Sequence, residues 1–414
     1  MNDVKISVII TIYNIEKYIS ECLDSVLNQD FTQMEVICVD DASTDNSYEI
    51  LKEYEKKDKR IHVICNAVNQ GQASSRNRGC RQARGEYLYI MDGDDLIKEG
   101  ALRRMYETAK TENLHILTFS AESFPDNQQM ESYSKKLKDL YIRKHKYETC
   151  MSGAELFAEL IGNGDVHGNV CLQFINRKFF EENQLYWIEG LRYSEDDPFT
   201  MYMKAKRAKC IPDILYMRRV RENSMITSPK KLCHLESAVI QFTHDLQVWQ
   251  ECDLPQKLND KIEKHFLELH NFINSLCGDF KDIPATMPML ENYPMAKYIY
   301  NYFMLKKPTI CKNLTKQVVQ DLLTYKNVIV YGAGQMATIT TKFLENNGIC
   351  DYFIAVTEKK DNVACMNGKE IYSIDELANM HSEAIVLIAT VQRHYEVISE
   401  KLKSMGFKDI IYVD

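Results

Sequence analysis

Three aspartates stand together where a hydrophobic segment ends, in the stretch IMDGDDLIKEG (residues 90–100). At the end of a buried strand, Asp92, Asp94 and Asp95 would repel one another unless a cation compensated their charge. Carboxylate oxygens are ligands that suit Mg²⁺ or Mn²⁺. The residue types therefore predict a divalent-cation site here. The alternative is a solvated turn around Gly93.

A second acidic pair, Asp40 and Asp41, ends another apolar segment, MEVICVD. Short β-branched runs alternate with amphipathic segments through this part of the chain, which predicts an α/β fold with a parallel sheet covered on both faces. In such sheets, ligands bind beyond the carboxyl ends of the strands. Both acidic groups are therefore expected at one crevice. The alternative for Asp40 and Asp41 is an Asx turn or a helix cap.

Composition excludes several classes of protein. The 414 residues include 51 Lys plus Arg and 59 Asp plus Glu, a formal net charge of -8, whereas nucleic-acid-binding proteins usually carry a basic face. The 13 cysteines form no CxxC pair, which argues against a zinc site and favours reduced thiols in a cytosolic protein. No apolar run approaches the roughly 20 residues of a membrane-spanning helix. We therefore expect a soluble or peripheral protein.

Changes in pattern along the chain predict three parts: an N-terminal α/β domain at residues 1–230, a helical middle region at 231–325 and a Rossmann-like α/β domain at 326–414. The middle region contains an aromatic segment with two lysines near its end, NYPMAKYIYNYFMLKKP (292–308). We favour a helical linker there. The alternative is a surface that docks on a membrane or a partner.

The C-terminal part contains GAGQMA (332–337) between a predicted strand and a predicted helix, which fits the dinucleotide-binding fingerprint. Glu358 ends the next strand, where a ribose-binding acid is expected. This part is short for a dinucleotide domain, so we favour a structural or docking role and keep ligand binding as the alternative. In the N-terminal part the first glycine is Gly71, so a nucleotide there must be held by side chains.

Several motifs of the N-terminal part occur in an order that resembles the family 2 glycosyltransferases of GT-A fold. They are SVIITIYNIEKYISECLDSVLNQ, VDDASTDNS, NQGQASSRNRG, GEYLYIMDGDD, SEDDPF and YMRRVRENSMITS, and the resemblance covers residues 4–228. Each motif alone is weak, but their order is specific. The resemblance implies an inverting hexosyltransferase with a nucleoside-diphosphate-sugar donor and a divalent metal, Mn²⁺ or Mg²⁺.

The resemblance also implies roles for residues of the donor site. Thr11 and Tyr13 match the nucleotide-binding strand end, and Asp41 matches an aspartate that accepts a hydrogen bond from uracil N3–H, which favours a UDP donor. Arg76 falls in a donor-contacting segment. Asp92-Gly93-Asp94 matches the DxD motif; the resemblance leaves open whether Asp94 or Asp95 binds the metal.

Asp196, within Glu195-Asp196-Asp197, matches the family's general base, which removes a proton from the acceptor hydroxyl. Asp197 is a second candidate, and an acidic helix N-terminus is the structural alternative. Arg219 and Arg221 match a segment that contacts the donor phosphates, for which guanidinium groups are well suited.

Taken with the family, these residues predict transfer of a sugar from a UDP-sugar to a glycan or lipid-linked glycan in bacterial surface polysaccharide synthesis (capsule, lipopolysaccharide or teichoic acid). We expect a cytoplasmic protein, with peripheral contact at the inner face of the plasma membrane as a further hypothesis. The alternatives are a non-catalytic nucleotide-sugar-binding protein and an NAD-dependent sugar-nucleotide-modifying protein that acts through the GAGQMA turn. The sequence departs from the family at Ala42, where glycine is common. We treat that change as minor because we expect a negative φ there.

Overall fold

A computed structural model of the chain describes residues 4–147, 149–193, 197–222, 224, 228–278, 288–293, 296, 322, 324–333, 335–346, 349–357, 365–366, 368–390 and 394–413. The chain divides into two compact units, Met1–His265 and Phe266–Asp414. The predicted three-part division of the chain stays a prediction.

The first unit is built on a mixed sheet whose strands lie in the order β3-β2-β1-β4-β7-β6-β8-β5. The strands are β1 (Ile6–Ile12), β2 (Met34–Asp40), β3 (Ile61–Cys65), β4 (Tyr87–Asp92), β5 (Leu96–Ile97), β6 (Ile116–Pro125), β7 (Gln173–Asn176) and β8 (Ala208–Val220).

Helices connect these strands and extend beyond them. They are α1 (Ile19–Leu27), α2 (Ser47–Lys57), α3 (Gln72–Gln82), α4 (Ala101–Thr111), α5 (Glu131–Leu137), α6 (Gly153–Asn163), α7 (Arg177–Glu182), α8 (Phe199–Lys204), α9 (Leu232–Glu251) and α10 (Gln256–Gly278).

The central strands explain why the acidic groups meet. Every residue of β1 and β2 is buried, as the unbroken apolar runs predict for a sheet covered on both faces. The strands β2, β1 and β4 are parallel and in register, with Ile12 opposite Asp40 and Thr11 opposite Asp92. Because parallel strands end at one edge, the predicted crevice is formed by these three strand ends.

The expectation of a wholly parallel sheet is wrong beyond β4. Strand β7 pairs antiparallel with β4 and with β6, and β5 pairs antiparallel with β8. The pair of β5 and β8 places Leu96 opposite Met217. As a result, the end of β8 lies beside the segment that contains Asp94 and Asp95.

The backbone at Ala42 also differs from expectation. Its φ is +60°, a left-handed conformation that costs an L-residue about 1–2 kcal/mol. Two side chains hold the turn: Asp40 Oδ2 accepts a hydrogen bond from the Ser43 amide (3.1 Å), and Asn14 Oδ1 accepts one from the Thr44 amide (2.7 Å). The turn is therefore fixed in a conformation that glycine would adopt more easily.

The second unit contains a sheet with the strand order β11-β12-β10-β9-β13-β14, parallel except for β11. Its strands are β9 (Asn327–Tyr331), β10 (Phe353–Val356), β11 (Cys365–Met366), β12 (Lys369–Ser373), β13 (Ala384–Ile388) and β14 (Asp409–Tyr412). Its described residues include the helices α11 (Gln335–Asn346) and α12 (Tyr395–Ser404).

The predicted glycine turn of this unit has a packing reason of its own. A Cβ atom at Gly332 would lie 2.4 Å from the carbonyl oxygen of Ala389, so the close approach of two strand ends already requires glycine. Gly334 and Glu358 lie outside the described residues, as does most of the aromatic segment 292–308. Their predicted roles stay predictions.

Candidate active site

A cleft of about 580 Å³ opens at the carboxyl ends of β1 and β4, beside the end of β8. It brings together most of the residues that the sequence predicts for the donor site. The predicted residues that line it are Thr11, Tyr13, Asp41, Asp92, Asp94, Asp95, Arg219 and Arg221.

Asp41 is held rigidly at one end of this cleft. Its Oδ1 accepts hydrogen bonds from the Asn66 side-chain amide (2.7 Å) and the Gln70 backbone amide (2.9 Å), and its Oδ2 accepts one from the Gly71 amide (2.7 Å). A carboxylate has about four acceptor positions. These three contacts fix the group and leave acceptor capacity on Oδ2.

The neighbouring residues have different environments. Asp40 is buried and is not among the residues that line the cleft. Thr11 is also buried, and its hydroxyl lies 3.5 Å from the side-chain amide nitrogen of Gln72. The ring of Tyr13, by contrast, is 47% exposed. Tyr13 therefore offers an open aromatic surface at the end of β1.

Asp92 is paired with a buried cation. The guanidinium of Arg76, on α3, has no exposed surface, and its Nη2 lies 3.2 Å from Asp92 Oδ1. The side-chain amide of Gln72 contacts the same oxygen. Arg76 is absent from the cleft lining, so it positions Asp92 from behind.

Asp94 faces Arg219, near the end of β8, and Arg221, just after it. Its Oδ2 accepts a hydrogen bond from Arg221 Nε at 2.6 Å, and its backbone carbonyl accepts one from Arg219 Nε at 2.8 Å. Arg219 is itself packed over the rings of Tyr18 and Phe124 and forms a 2.6 Å ion pair with Glu21. The two arginines are thus held beside the carboxylate of Asp94.

Asp95 points into the protein. It is 4% exposed, and its two oxygens accept hydrogen bonds from the Tyr216 hydroxyl (2.6 Å) and the Arg219 amide (2.6 Å). Burial, followed by the charges of Asp94 and Asp92, raises the pKa of Asp95 well above its usual range. Asp95 therefore joins β8 to the DGDD segment.

The acidic loop before α8 is described only in part. Asp196, the predicted general base, lies outside the described residues, together with Ser194 and Glu195. Asp197 is described, and its Oδ1 accepts a hydrogen bond from the Phe199 amide at 2.9 Å. This contact ties the carboxylate of Asp197 to the backbone at the first residue of α8.

A buried carboxyl group on α9 lies near this loop. The side chain of Asp245 is fully buried and accepts hydrogen bonds from Gln241 Nε2 (3.1 Å) and Thr200 Oγ1 (3.4 Å). Burial, together with the charge of Asp197, raises the pKa of Asp245 to about 7. The sequence predicts no role for Asp245, Gln72 or Tyr216, because each contacts a residue that is distant in sequence, namely Thr200, Asp92 and Asp95.

The structure changes the explanation of the three clustered aspartates. Arg76 pairs with Asp92, Arg221 pairs with Asp94, and Tyr216 donates to Asp95. Among the described residues, no group of three or more Asp, Glu, His or Cys side chains is arranged to hold a metal ion. A cage of three carboxylates is therefore not formed in the described part of the chain.

The carboxylates present still fit a hard divalent cation that is bound jointly by the protein and a substrate. Mg²⁺ commonly binds through one or two carboxylates and the phosphates of a substrate. Asp94 supplies one carboxylate that lines the cleft, and both oxygens of Asp95 are already engaged.

In the described residues, no helix has the length and apolar character needed to cross a bilayer.

Comparison with known proteins gives the family. The family model "Glycosyl transferase family 2" matches residues 7–163. The uncharacterized glycosyltransferase EpsJ of Bacillus subtilis (strain 168) is 32% identical over 309 residues, which cover 70% of this chain and 85% of EpsJ. The poly(ribitol-phosphate) beta-glucosyltransferase of Bacillus spizizenii is 32% identical over 225 residues, which cover 53% of this chain and 33% of that protein.

A solved structure confirms the predicted fold class. The crystal structure of Staphylococcus aureus TarS 1–349 in complex with UDP-GlcNAc matches with a TM-score of 0.53 at 23% identity, over 73% of this chain and 90% of that one. The mixed α/β architecture is that of GT-A glycosyltransferases. The chain is a glycosyltransferase and belongs to glycosyl transferase family 2.

Proposed function

We propose that this protein is a metal-dependent, inverting transferase that moves a hexose from a UDP-sugar to a hydroxyl group of a bacterial surface glycan. The observation that supports this most directly is the convergence of Asp41, Asp94 and Arg221 on one cleft. Asp41 can accept a hydrogen bond from the nucleobase, Asp94 can bind a metal ion, and Arg221 can bind a phosphate group. A site for a nucleotide sugar needs these three functions.

The environment of Asp41 supports a uracil base. Three fixed donors hold its carboxylate, and Oδ2 retains room for a further hydrogen bond. Uracil N3–H is a donor that can fill this position. Tyr13, exposed beside Thr11 at the end of β1, offers a ring surface for the base.

The diphosphate belongs at Asp94, Arg219 and Arg221 in this proposal. Asp94 is the proposed metal ligand, with Asp92 held beside it by Arg76. Mg²⁺ or Mn²⁺ bound there would neutralise the charge that develops on the diphosphate as it leaves. Arg221, which now pairs with Asp94 at 2.6 Å, can turn its guanidinium to phosphate oxygens.

Asp196 is the proposed general base for the acceptor hydroxyl. Asp197 already accepts a hydrogen bond from the Phe199 amide, which engages its carboxylate with the backbone at the start of α8. The resemblance to the family supports Asp196, rather than Asp197, as the group that removes the proton.

The acceptor class is proposed from the relatives. One relative is a poly(ribitol-phosphate) glucosyltransferase, and the matched TarS structure contains UDP-GlcNAc. We propose a glycan or lipid-linked glycan acceptor and a reaction on the cytoplasmic side. Every cysteine whose side chain is described has a free thiol, which supports a reducing compartment.

Calorimetric titration of UDP, with GDP and NADH as comparison ligands, tests the proposal in the presence and absence of Mn²⁺. We expect Mn²⁺-dependent binding of UDP. We expect Asp94→Asn to weaken it by about tenfold or more, because a metal ligand is lost, which corresponds to about 1.4 kcal/mol.

Asp139→Asn is the matched control, since Asp139 is an exposed aspartate outside the cleft. Equal binding of UDP with and without Mn²⁺ would contradict the metal dependence. Binding of NADH but not of UDP would instead favour the alternative in which the GAGQMA turn forms the working site.

A further inference from the structure

The last turn of α5 and the segment that follows it carry a concentration of positive charge in a chain whose net charge is -8. Residues 135–146, KKLKDLYIRKHK, contain five lysines and one arginine against a single aspartate. We define the lysine surface by its exposed side chains: Lys135, Lys136, Lys138, Leu140, Lys144 and Lys146.

Buried side chains fix the backbone of this surface. The Tyr141 carbonyl accepts a hydrogen bond from the Ala121 amide at 3.1 Å, which ties the segment to β6. The carboxylate of Asp165 accepts hydrogen bonds from the backbone amides of Lys144 and His145, both at 3.1 Å. The lysines are therefore presented by an anchored segment.

Most of these charges are uncompensated. Lys135 lies 3.8 Å from Glu131. Among the described residues, Lys136, Lys138, Lys144 and Lys146 form no ion pair. By contrast, the lysine-rich stretch at residues 52–60 alternates five basic residues with Glu53, Glu55 and Asp58.

The lysine surface also has an apolar component and a defined place. Leu140 is 48% exposed between Lys138 and Lys144, so an apolar side chain projects from among the cations. The ring of the adjacent Tyr141 lies 5.0 Å from the guanidinium of Arg218, and Arg218 lines the cleft. The surface therefore borders the candidate active site.

We propose that the lysine surface docks the protein on an anionic lipid membrane, with Leu140 inserting among the headgroups. Each lysine near an anionic bilayer is attracted to the lipid headgroups, and a single apolar side chain adds to the binding. A phosphate-rich polymer could pair with the lysines, but it would offer no apolar environment to Leu140. Docking here would bring the cleft close to substrates at the membrane, whichever sugar is transferred.

Co-sedimentation of the full chain with lipid vesicles tests this proposal. We expect binding to vesicles that contain phosphatidylglycerol, release by salt, and little binding to phosphatidylcholine alone. The variant with Lys136, Lys138, Lys144 and Lys146 changed to Gln should reduce the partition coefficient by about tenfold or more. Leu140→Ser should reduce it by a smaller factor.

The matched control changes four exposed lysines elsewhere, namely Lys56, Lys57, Lys59 and Lys178, to Gln and removes the same charge. Equal loss in both variants, or no binding by the wild type, would overturn the proposal. So would unchanged vesicle binding combined with loss of binding to soluble polyphosphate, which would point to a polymer. Titration of UDP into the same variants separates this result from failure of the proposed function, because the lysine surface lies outside the cleft.

Discussion

The carboxyl group of Asp245 makes the stability of the first unit depend on pH. An aspartate in an unfolded chain has a pKa of about 3.9, whereas burial and Asp197 raise the pKa of Asp245 to about 7 in the folded state. Between these values the folded protein keeps a proton that the unfolded chain releases. The free energy of unfolding therefore falls as the pH rises from about 4 to about 7.

We expect Asp245→Asn to remove this contribution, because the amide stays neutral while its oxygen can still accept from Gln241. Urea unfolding at about pH 5 and about pH 8 measures the difference. The two tryptophans, Trp187 and Trp249, both lie in the first unit and report its unfolding. Asp139→Asn is the exposed control, and an equal pH dependence in the wild type and Asp245→Asn would refute the interpretation.

Ala42 offers a separate test of backbone strain. The left-handed φ of +60° costs alanine about 1–2 kcal/mol, and glycine would relieve this strain. Part of the relief is offset because glycine loses more chain entropy on folding. We expect Ala42→Gly to stabilise the first unit by about 0.5–1 kcal/mol. The measurement is the urea midpoint followed by tryptophan fluorescence.

Ala67→Gly provides the control for this substitution. Ala67 is exposed in a loop and is not among the described residues with positive φ. The same change there should destabilise by the entropic amount alone, about 0.4–1 kcal/mol. If both substitutions shift the midpoint in the same direction, strain at Ala42 is not the explanation.

At the scale of elements, the parallel core is what local sequence predicts well. Strands β1, β2 and β4 are continuous apolar runs, and the aspartates that end β2 and β4 mark the edge of the sheet. The ends of these apolar runs predicted that Asp41, Asp92 and Asp94 lie at a common crevice. The position of these strands could be predicted because a buried strand is recognised from residues that are adjacent in sequence.

The parts that failed depend on partners far along the chain. Strand β7 has four residues and β5 has two, which is too short to give a clear periodic pattern. The inward position of Asp95 depends on Tyr216, 121 residues later. Motif order identified the DGDD segment, but it could not predict that Asp95 turns inward, because its partner Tyr216 lies on β8.

At the scale of the whole molecule, the candidate site belongs to one unit. Every residue that lines the cleft lies between Thr11 and His234, and the first unit extends from Met1 to His265. The second unit has its own hydrophobic core, formed by residues such as Ile329, Val386 and Leu402. Nothing in the described cleft therefore requires side chains of the second unit.

We accordingly expect a fragment of residues 1–278, which keeps α10 intact up to Gly278, to fold and to bind UDP in the presence of Mn²⁺. Its Kd should lie within about threefold of that of the full chain, a difference in binding free energy of less than about 1 kcal/mol. Calorimetry of both proteins measures this, with Asp94→Asn in the fragment as the control for binding at the cleft. A folded fragment, shown by cooperative urea unfolding, that binds UDP at least about tenfold more weakly would mean that the second unit contributes to the donor site. In that case the glycine turn at Gly332 would become the first place to search for that contribution.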